Sequence, residues 1–326
     1  MRFVQVNDIA SVASELAVAL RKRGHEVDLL YPRLHGAGLP PIGKLAVSPL
    51  RFIDWLRLAW KVRRGCYDAV HIHYGYLGIV GLIARVPYVL HCHGDDVRDI
   101  ERRVWAPVIR LAIRRARHVY YSTPDLREPL LKIRPDVEFL PNPIDIEQFR
   151  PRPLPPDAGD VFIACALSEN KGVKNILDAL QRLAASDPGV RITAVAGGTA
   201  TAEADSLPNV LLLMHQPRAK LPDLMGRHRI IVGQVHQGAV GMVELESLAC
   251  GRPVVTWFTY NEAYPEPPPF VRASCGAEIA EAIRRLLADP AEAARIGQAG
   301  RDWVARHHNA DAIAARIEAL AVEATR

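Results

Sequence analysis

At 326 residues the chain is long enough for two ordinary domains, each with its own core. Hydrophobic residues make up 49% and charged residues 24%, the balance of a globular protein and not of a disordered or bilayer-embedded one. The net charge of +5 is unevenly placed: residues 1–150 hold 23 Lys/Arg against 16 Asp/Glu, and the remainder 18 against 20, so only the first half suits an anionic partner.

Phe3 to Val6 reads as a first strand, not as a secretory leader. Ser11 to Arg23 reads as a helix, with Leu16, Ala17 and Leu20 at helical spacing and Gly24 as its stop. The intervening loop, Asn7 to Ser14, has no glycine, which excludes a G-x-G-x-x-G dinucleotide fingerprint after the first strand. Glu26 to Tyr31 is a strand, Gly36 to Pro49 a Gly/Pro-rich loop, Leu50 to Arg64 a helix and Asp68 to His73 a strand. The apolar run Tyr76 to Leu90 is broken by Arg85 and Pro87, too short to span a bilayer. Tyr88 to His93 is a strand, Glu101 to Arg117 a basic helix and His118 to Ser122 a strand. Thr123-Pro124-Asp125 caps the helix after it.

Arg150 to Gly159 contains four prolines and is the expected linker. A second strand–helix series follows, with strands at Val161–Ala166, Arg191–Ala196, Val210–Met214, Arg229–Gly233 and Val254–Trp257, and helices from Glu278 onward. Alternating strands and helices in two runs predict an α/β protein of two Rossmann-like domains, 1–150 and 151–326, facing an inter-domain cleft. The last helix is placed to pack back on the N-terminal domain. The five cysteines are odd in number, scattered and never spaced Cys-x-x-Cys, which fits a reduced, cytoplasmic compartment.

The run Gly241-Met242-Val243-Glu244-Leu245-Glu246-Ser247-Leu248-Ala249-Cys250-Gly251-Arg252-Pro253-Val254-Val255 carries the most chemistry. A glycine opens a helix, a carboxylate sits inside it, Gly-x-Pro stops it, and a β-branched strand begins. Free N–H groups and the positive end of the dipole suit a phosphate. Glu246, more than a turn further in, can accept hydrogen bonds from sugar hydroxyls; the plainer role is a local cap or ion pair. Glu244 points elsewhere on the helix. Lys171-Gly172 precedes a helix at Val173 to Leu183, where a lysine suits a diphosphate.

His93-Gly94-Asp95-Asp96 lies at the carboxyl end of a strand, where α/β sheets bind ligands. Asp95 and Asp96 can hold acceptor hydroxyls or cap the next segment. His71-Ile72-His73 and His91-Cys92-His93 each put two imidazoles on one strand face, which raises a metal as a possibility; no metal is expected.

These segments resemble the donor and acceptor motifs of retaining GT-B glycosyltransferases of the family-4 type. The resemblance extends through Tyr121-Ser122-Thr123-Pro124-Asp125-Leu126, Leu140-Pro141-Asn142-Pro143-Ile144-Asp145 and Arg301-Asp302-Trp303-Val304, nearly the whole chain. It implies transfer of a sugar from a UDP- or GDP-linked donor to an acceptor hydroxyl with retention of configuration, without a cofactor. It places Lys171, Gly172, the amides of Gly241, Met242 and Val243, and Glu246 on the donor nucleotide. It places His93 on the donor sugar, as a hydrogen-bond donor, and His73, Asp95 and Asp96 on the acceptor side. Two departures stand out: Gly238 occupies the position of the motif's first Glu, and Ala166 that of its Arg. His236 or Gln237 is the expected substitute at the sugar. The alternatives on the same fold are a non-catalytic sugar-nucleotide-binding or partner subunit, and a sugar-nucleotide epimerase.

No nucleic acid partner is expected. Arg51 to Arg64 mixes Trp, aliphatics and cations at helical spacing, and Arg102, Arg103, Arg110, Arg114, Arg115 and Arg117 follow. Trp55 and Trp60 are both expected to pack on the sheet, with the arginines giving weak, salt-sensitive attachment to the inner membrane face.

Overall fold

The computed structural model describes residues 1–33, 35–36, 38–40, 43, 46–102 and 104–325. Part of the expected loop at 36–49, and Arg103, lie outside them. The chain divides into two compact units, 1–143 with 310–326, and 144–309.

The first unit is a six-stranded parallel sheet ordered β2-β1-β3-β4-β5-β6: β1 Arg2–Val6, β2 Glu26–Leu30, β3 Ala69–His73, β4 Val89–Cys92, β5 His118–Tyr121 and β6 Val137–Phe139. The helices are α1 Val12–Lys22, α2 Ser48–Arg64, α3 Gly78–Ala84, α4 Ala106–Arg115 and α5 Arg127–Leu131. Side chains alternate across each strand, so the two sheet faces differ in chemistry. Val4, Val6, Val70, Ile72, Leu90, Cys92 and Val119 join the apolar residues of α2, α3 and α4 in one buried core. The opposite set, Gln5, His71, His73, His91 and Tyr120, is polar yet buried.

The expected basic helix over Glu101 to Arg117 is shorter. A 3-10 turn covers Ile100–Arg102, and α4 starts only at Ala106 with Pro107 in its first turn. Proline is accepted there because its missing N–H would have had no helical partner. The short edge strand β6 and the helix α3 were not read from the sequence.

The second unit is a parallel sheet ordered β12-β11-β10-β7-β8-β9: β7 Gly159–Ile163, β8 Ile192–Val195, β9 Val210–Leu213, β10 His228–Val232, β11 Val254–Thr256 and β12 Val271–Arg272. Counted from β7, this is the doubly wound order 3-2-1-4-5-6 read from the β9 edge. Its helices are α6 Val173–Ser186, α7 Thr201–Asp205, α8 Leu221–Gly226, α9 Met242–Ala249, α10 Gly276–Ala288 and α11 Pro290–His307. The chain order reverses between β7 and β10, so the loops leaving those two strands flank the switch point, where α/β sheets bind ligands.

The chain's last helix, α12 Ala310–Thr325, belongs to the first unit, where it packs on α1. Arg23 Nη2 meets Glu318 at 2.6 Å, and Arg316 Nη2 donates to the Phe139 carbonyl at 3.0 Å. No helix among the described residues is long and apolar enough to cross a membrane.

Candidate active site

In the second unit, β7 leads through a 3-10 turn, Glu169–Lys171, into Gly172, which caps α6 with φ +80°. A Cβ at Gly172 would stand 2.8 Å from the Val235 carbonyl oxygen, so only glycine allows this approach. The Val235 N–H donates to the Lys171 carbonyl at 3.0 Å. The Lys171-Gly172 turn is thereby stitched to the loop leaving β10, which carries His236. No carboxylate pairs with the Lys171 ammonium among the described residues.

That loop is organised by Gln234, which is 2% exposed. Its Oε1 accepts from the His236 N–H at 3.0 Å and the Gln237 N–H at 2.9 Å, and its Nε2 donates to the Ala239 carbonyl. Its own N–H donates to Glu244 Oε1 at 2.8 Å, while Glu244 Oε2 accepts from the Gly241 N–H at 2.9 Å. Glu244 is therefore a brace between loop and helix. It also removes the Gly241 amide from those expected to meet a phosphate, leaving Met242 and Val243 at the start of α9. His236 is exposed, and its backbone N–H is held by Gln234.

Gly238 has φ +68°, and a Cβ there would stand 2.6 Å from Thr259 Oγ1. Its carbonyl accepts from the Thr259 N–H at 2.9 Å. This turn is shaped for glycine, so the motif's first glutamate is absent in backbone conformation as well as in sequence. Ala166 is exposed.

Glu246 is 1% exposed, and its Oε1 accepts from Arg218 Nε at 2.8 Å and lies 2.7 Å from Nη2. The guanidinium also lies over the Phe149 ring, 5.0 Å from its centroid. The local ion pair considered as the plainer role of Glu246 is thus present. Arg218 follows β9 and brings a cation to the same end of the sheet as Lys171; no motif in the sequence marked it.

In the first unit, His93 follows β4 and is half-buried. Its N–H donates to Asp96 at 3.1 and 3.3 Å, and the Gly94 and Gly75 N–H groups reach the same carboxylate at 2.8 and 2.7 Å. Asp96 is 1% exposed, and burial raises its carboxyl pKa while those backbone donors pull it back. Of its two expected roles it takes the capping one, because backbone amides occupy both oxygens. Asp95 is exposed and paired with Arg98 at 2.9 Å.

His73 is fully buried; its Nδ1 lies 2.9 Å from His93 Nε2 and its Nε2 2.7 Å from Gln5 Oε1. It reaches no surface where an acceptor would bind, and touches the site through His93. Burial lowers the pKa of all four histidines, those of His71 and His93 to about 3, so they are neutral near pH 7.

His71, His73 and His91 bring ring nitrogens within 4.8 Å of one another. Two features argue against a metal donor set. Both His73 nitrogens are engaged, the His71 and His91 rings are stacked 5.4 Å apart at 8°, and lone pairs in such parallel planes do not converge on one ion. A cavity of about 250 Å³ lies at the amino ends of β3 and β4, lined by Val62, Val70, Tyr88 and Ile317. It is the opposite end of the sheet from His93, and of the four clustered histidines only His71 lines it.

Residues 9–143 match a family model described as glycosyl transferase 4-like domain, and residues 173–319 one described as glycosyl transferase-like. The chain belongs to the GT-B glycosyltransferases. It is 25% identical over 304 residues to a D-inositol 3-phosphate glycosyltransferase of Mycolicibacterium paratuberculosis, covering 74% of this chain and 67% of that protein. Among solved structures it is similar in fold to a sucrose-phosphate synthase from Thermosynechococcus elongatus (TM-score 0.77, 19% identity, 99% of this chain and 98% of that one). It is also similar in fold to Anabaena HepE in complex with UDP-glucose (TM-score 0.72, 18% identity, 99% of this chain and 100% of that one). The two sheets match this GT-B architecture.

Proposed function

We propose that this glycosyltransferase moves a sugar from a nucleotide diphosphate donor to an acceptor hydroxyl with retention of configuration. One observation carries the donor assignment. The Lys171-Gly172 turn and the start of α9, the helix that carries Glu246, are tied together at the switch point of one sheet, through Val235, Gln234 and Glu244. Lys171 and the amides of Met242 and Val243 hold the diphosphate, and Glu246 takes the ribose. With a lysine and a helix start neutralising the leaving group, the donor needs no protein-held metal. UDP is the favoured nucleotide; the fold neighbour determined with UDP-glucose supports it.

His93 acts on the donor sugar, with Asp95 on the acceptor side and His236 or Gln237 in place of the missing glutamate. Attack comes from the face the leaving group departs, and the departing phosphate helps to deprotonate the acceptor. The protein works in the cytoplasm and associates with the inner membrane face through α2 and α4. The exposed side of α2, with Phe52, Ile53, Leu56 and Trp60 beside Arg57, Lys61 and Arg64, supports that surface.

A second reading, a GT-B protein that binds a sugar nucleotide without turning it over, draws on Ala166 and on the glycine-shaped turn at Gly238. Acceptor-dependent release of free nucleotide separates the two. Purified protein is given UDP- and GDP-sugars with a panel of polyol, sugar-phosphate and lipid-linked hydroxyl acceptors. Release above the acceptor-free rate, with the product's anomeric configuration matching the donor's, is the expected result. Binding without release for every acceptor favours the second reading.

A further inference from the structure

We propose that Gln5 and His73 form a buried relay that fixes the tautomer of His93, so that His93 presents Nδ1 as a hydrogen-bond acceptor. The relay rests on this structure alone; its use in catalysis rests on the function proposed above.

Gln5 and His73 are both fully buried, and the three side chains are joined end to end by contacts of 2.7 and 2.9 Å. A neutral imidazole has one N–H and one lone pair. The His73 and His93 rings stay neutral because burial disfavours the imidazolium and because His71 adds like-charge repulsion to both, its ring centroid 4.3 Å from that of His73. The order of donors then follows from one end. The Gln5 amide is assigned with Oε1 facing His73, which puts the proton on His73 Nε2 and the lone pair on Nδ1. That lone pair accepts from His93 Nε2–H, which leaves His93 Nδ1 unprotonated.

The backbone keeps these rings in place. Asn7 Nδ2 donates to the His73 carbonyl at 3.2 Å, and the Tyr74 N–H to the His91 carbonyl at 2.8 Å. Asp96 holds the His93 N–H. Of the two His93 ring nitrogens, Nε2 is the one that meets His73, which leaves Nδ1 for a ligand. The consequence is a change of role. A histidine at this point of the motif is expected to donate to the donor sugar, whereas the relay makes it accept from a hydroxyl. Gln5 and His73 are positioning residues that act through His93.

The test is long-range 1H–15N NMR of histidine-labelled full-length protein above neutral pH, with His93→Gln to assign the signals. Wild type should show a single His93 tautomer with Nδ1 unprotonated. Gln5→Leu should give a mixture of tautomers, and Gln5→Glu, which keeps an acceptor facing His73, should restore the single one. Under the proposed activity, Gln5→Leu also lowers turnover roughly tenfold or more while nucleotide affinity is unchanged, as expected when an imidazole is held in the wrong tautomer. A protonated Nδ1 in wild type overturns the relay without any variant having to fold, and so does a single tautomer surviving in Gln5→Leu. The expected tautomers together with no turnover on any donor would uphold the relay and remove the glycosyl-transfer role built on it.

Discussion

Glu246 does two jobs that a single substitution separates poorly. It is buried against Arg218, so Glu246→Ala leaves a guanidinium without its carboxylate as well as stripping the ribose contact. Arg218 keeps a quarter of its side chain in solvent, which limits the stability loss to about 1–3 kcal/mol. Urea unfolding should show that loss for Glu246→Ala and none beyond error for Lys171→Ala, whose ammonium meets no carboxylate among the described residues. An unchanged urea midpoint for Glu246→Ala would mean the pair is solvated and weak. Gly238 gives a second prediction. Restoring the motif by Gly238→Glu should not raise turnover, because any side chain there meets Thr259 and a left-handed backbone that costs about 1–2 kcal/mol. A gain in turnover with unchanged stability would show that the loop readily rearranges.

At the scale of elements, much was legible from residue pattern. The strands at the centre of each sheet and the α6 and α9 starts follow from β-branched runs, Gly-x-Pro and a lysine–glycine pair, all of them local features. What the sequence did not disclose depends on residues far apart. Gln234, Arg218 and Gln5 carry no local motif, and they matter because the folded chain sets them beside Glu244, Glu246 and His73. The helix α2 shows the same limit. Its pattern put both tryptophans on the sheet, but Trp55 is 8% exposed against Trp105 and Trp60 is 56% exposed under Arg64. Trp60 lies five positions on, about 140° around the helix, and so falls outside the buried stripe of Trp55, Leu58, Ala59 and Val62. If the outer face meets an anionic bilayer, the protein should pellet with anionic vesicles at low salt. It should release as the Debye length shrinks toward about 8 Å, and Ile53→Ser with Trp60→Ser should weaken binding by about tenfold or more. Equal pelleting with neutral vesicles, or none at the lowest salt, would leave α2 without a membrane role.

For the whole molecule, the buried histidines tie stability to pH. His71 and His93 take up a proton only near pH 3 when folded, because burial excludes the charged form, but near pH 6.5 when unfolded. Between those values the unfolded chain binds more protons. Their contribution is therefore complete above about pH 6.5 and is lost as pH falls toward 3, by up to about 1.4 kcal/mol per pH unit for each histidine. Burial of Asp96 raises its pKa and works in the opposite sense, and the His118–Glu138 pair at 3.0 Å sits at the same sheet. Denaturant titrations from about pH 4 to about pH 7 should give a shallower slope for His71→Phe than for wild type. Equal slopes would mean that His71 is accessible to water.

The central claim is that the second unit binds a nucleotide diphosphate between the Lys171 turn and the start of α9. Isothermal titration of the full chain with UDP and GDP measures this without knowledge of sugar or acceptor. The account predicts saturable binding of one of them to wild type. It predicts affinity weaker by about one to two decades in Lys171→Ala, the loss of one charge-assisted contact of about 1.5–3 kcal/mol, with the fold intact by circular dichroism. Binding to wild type that Lys171→Ala leaves unchanged, or no binding of either nucleotide, would contradict it.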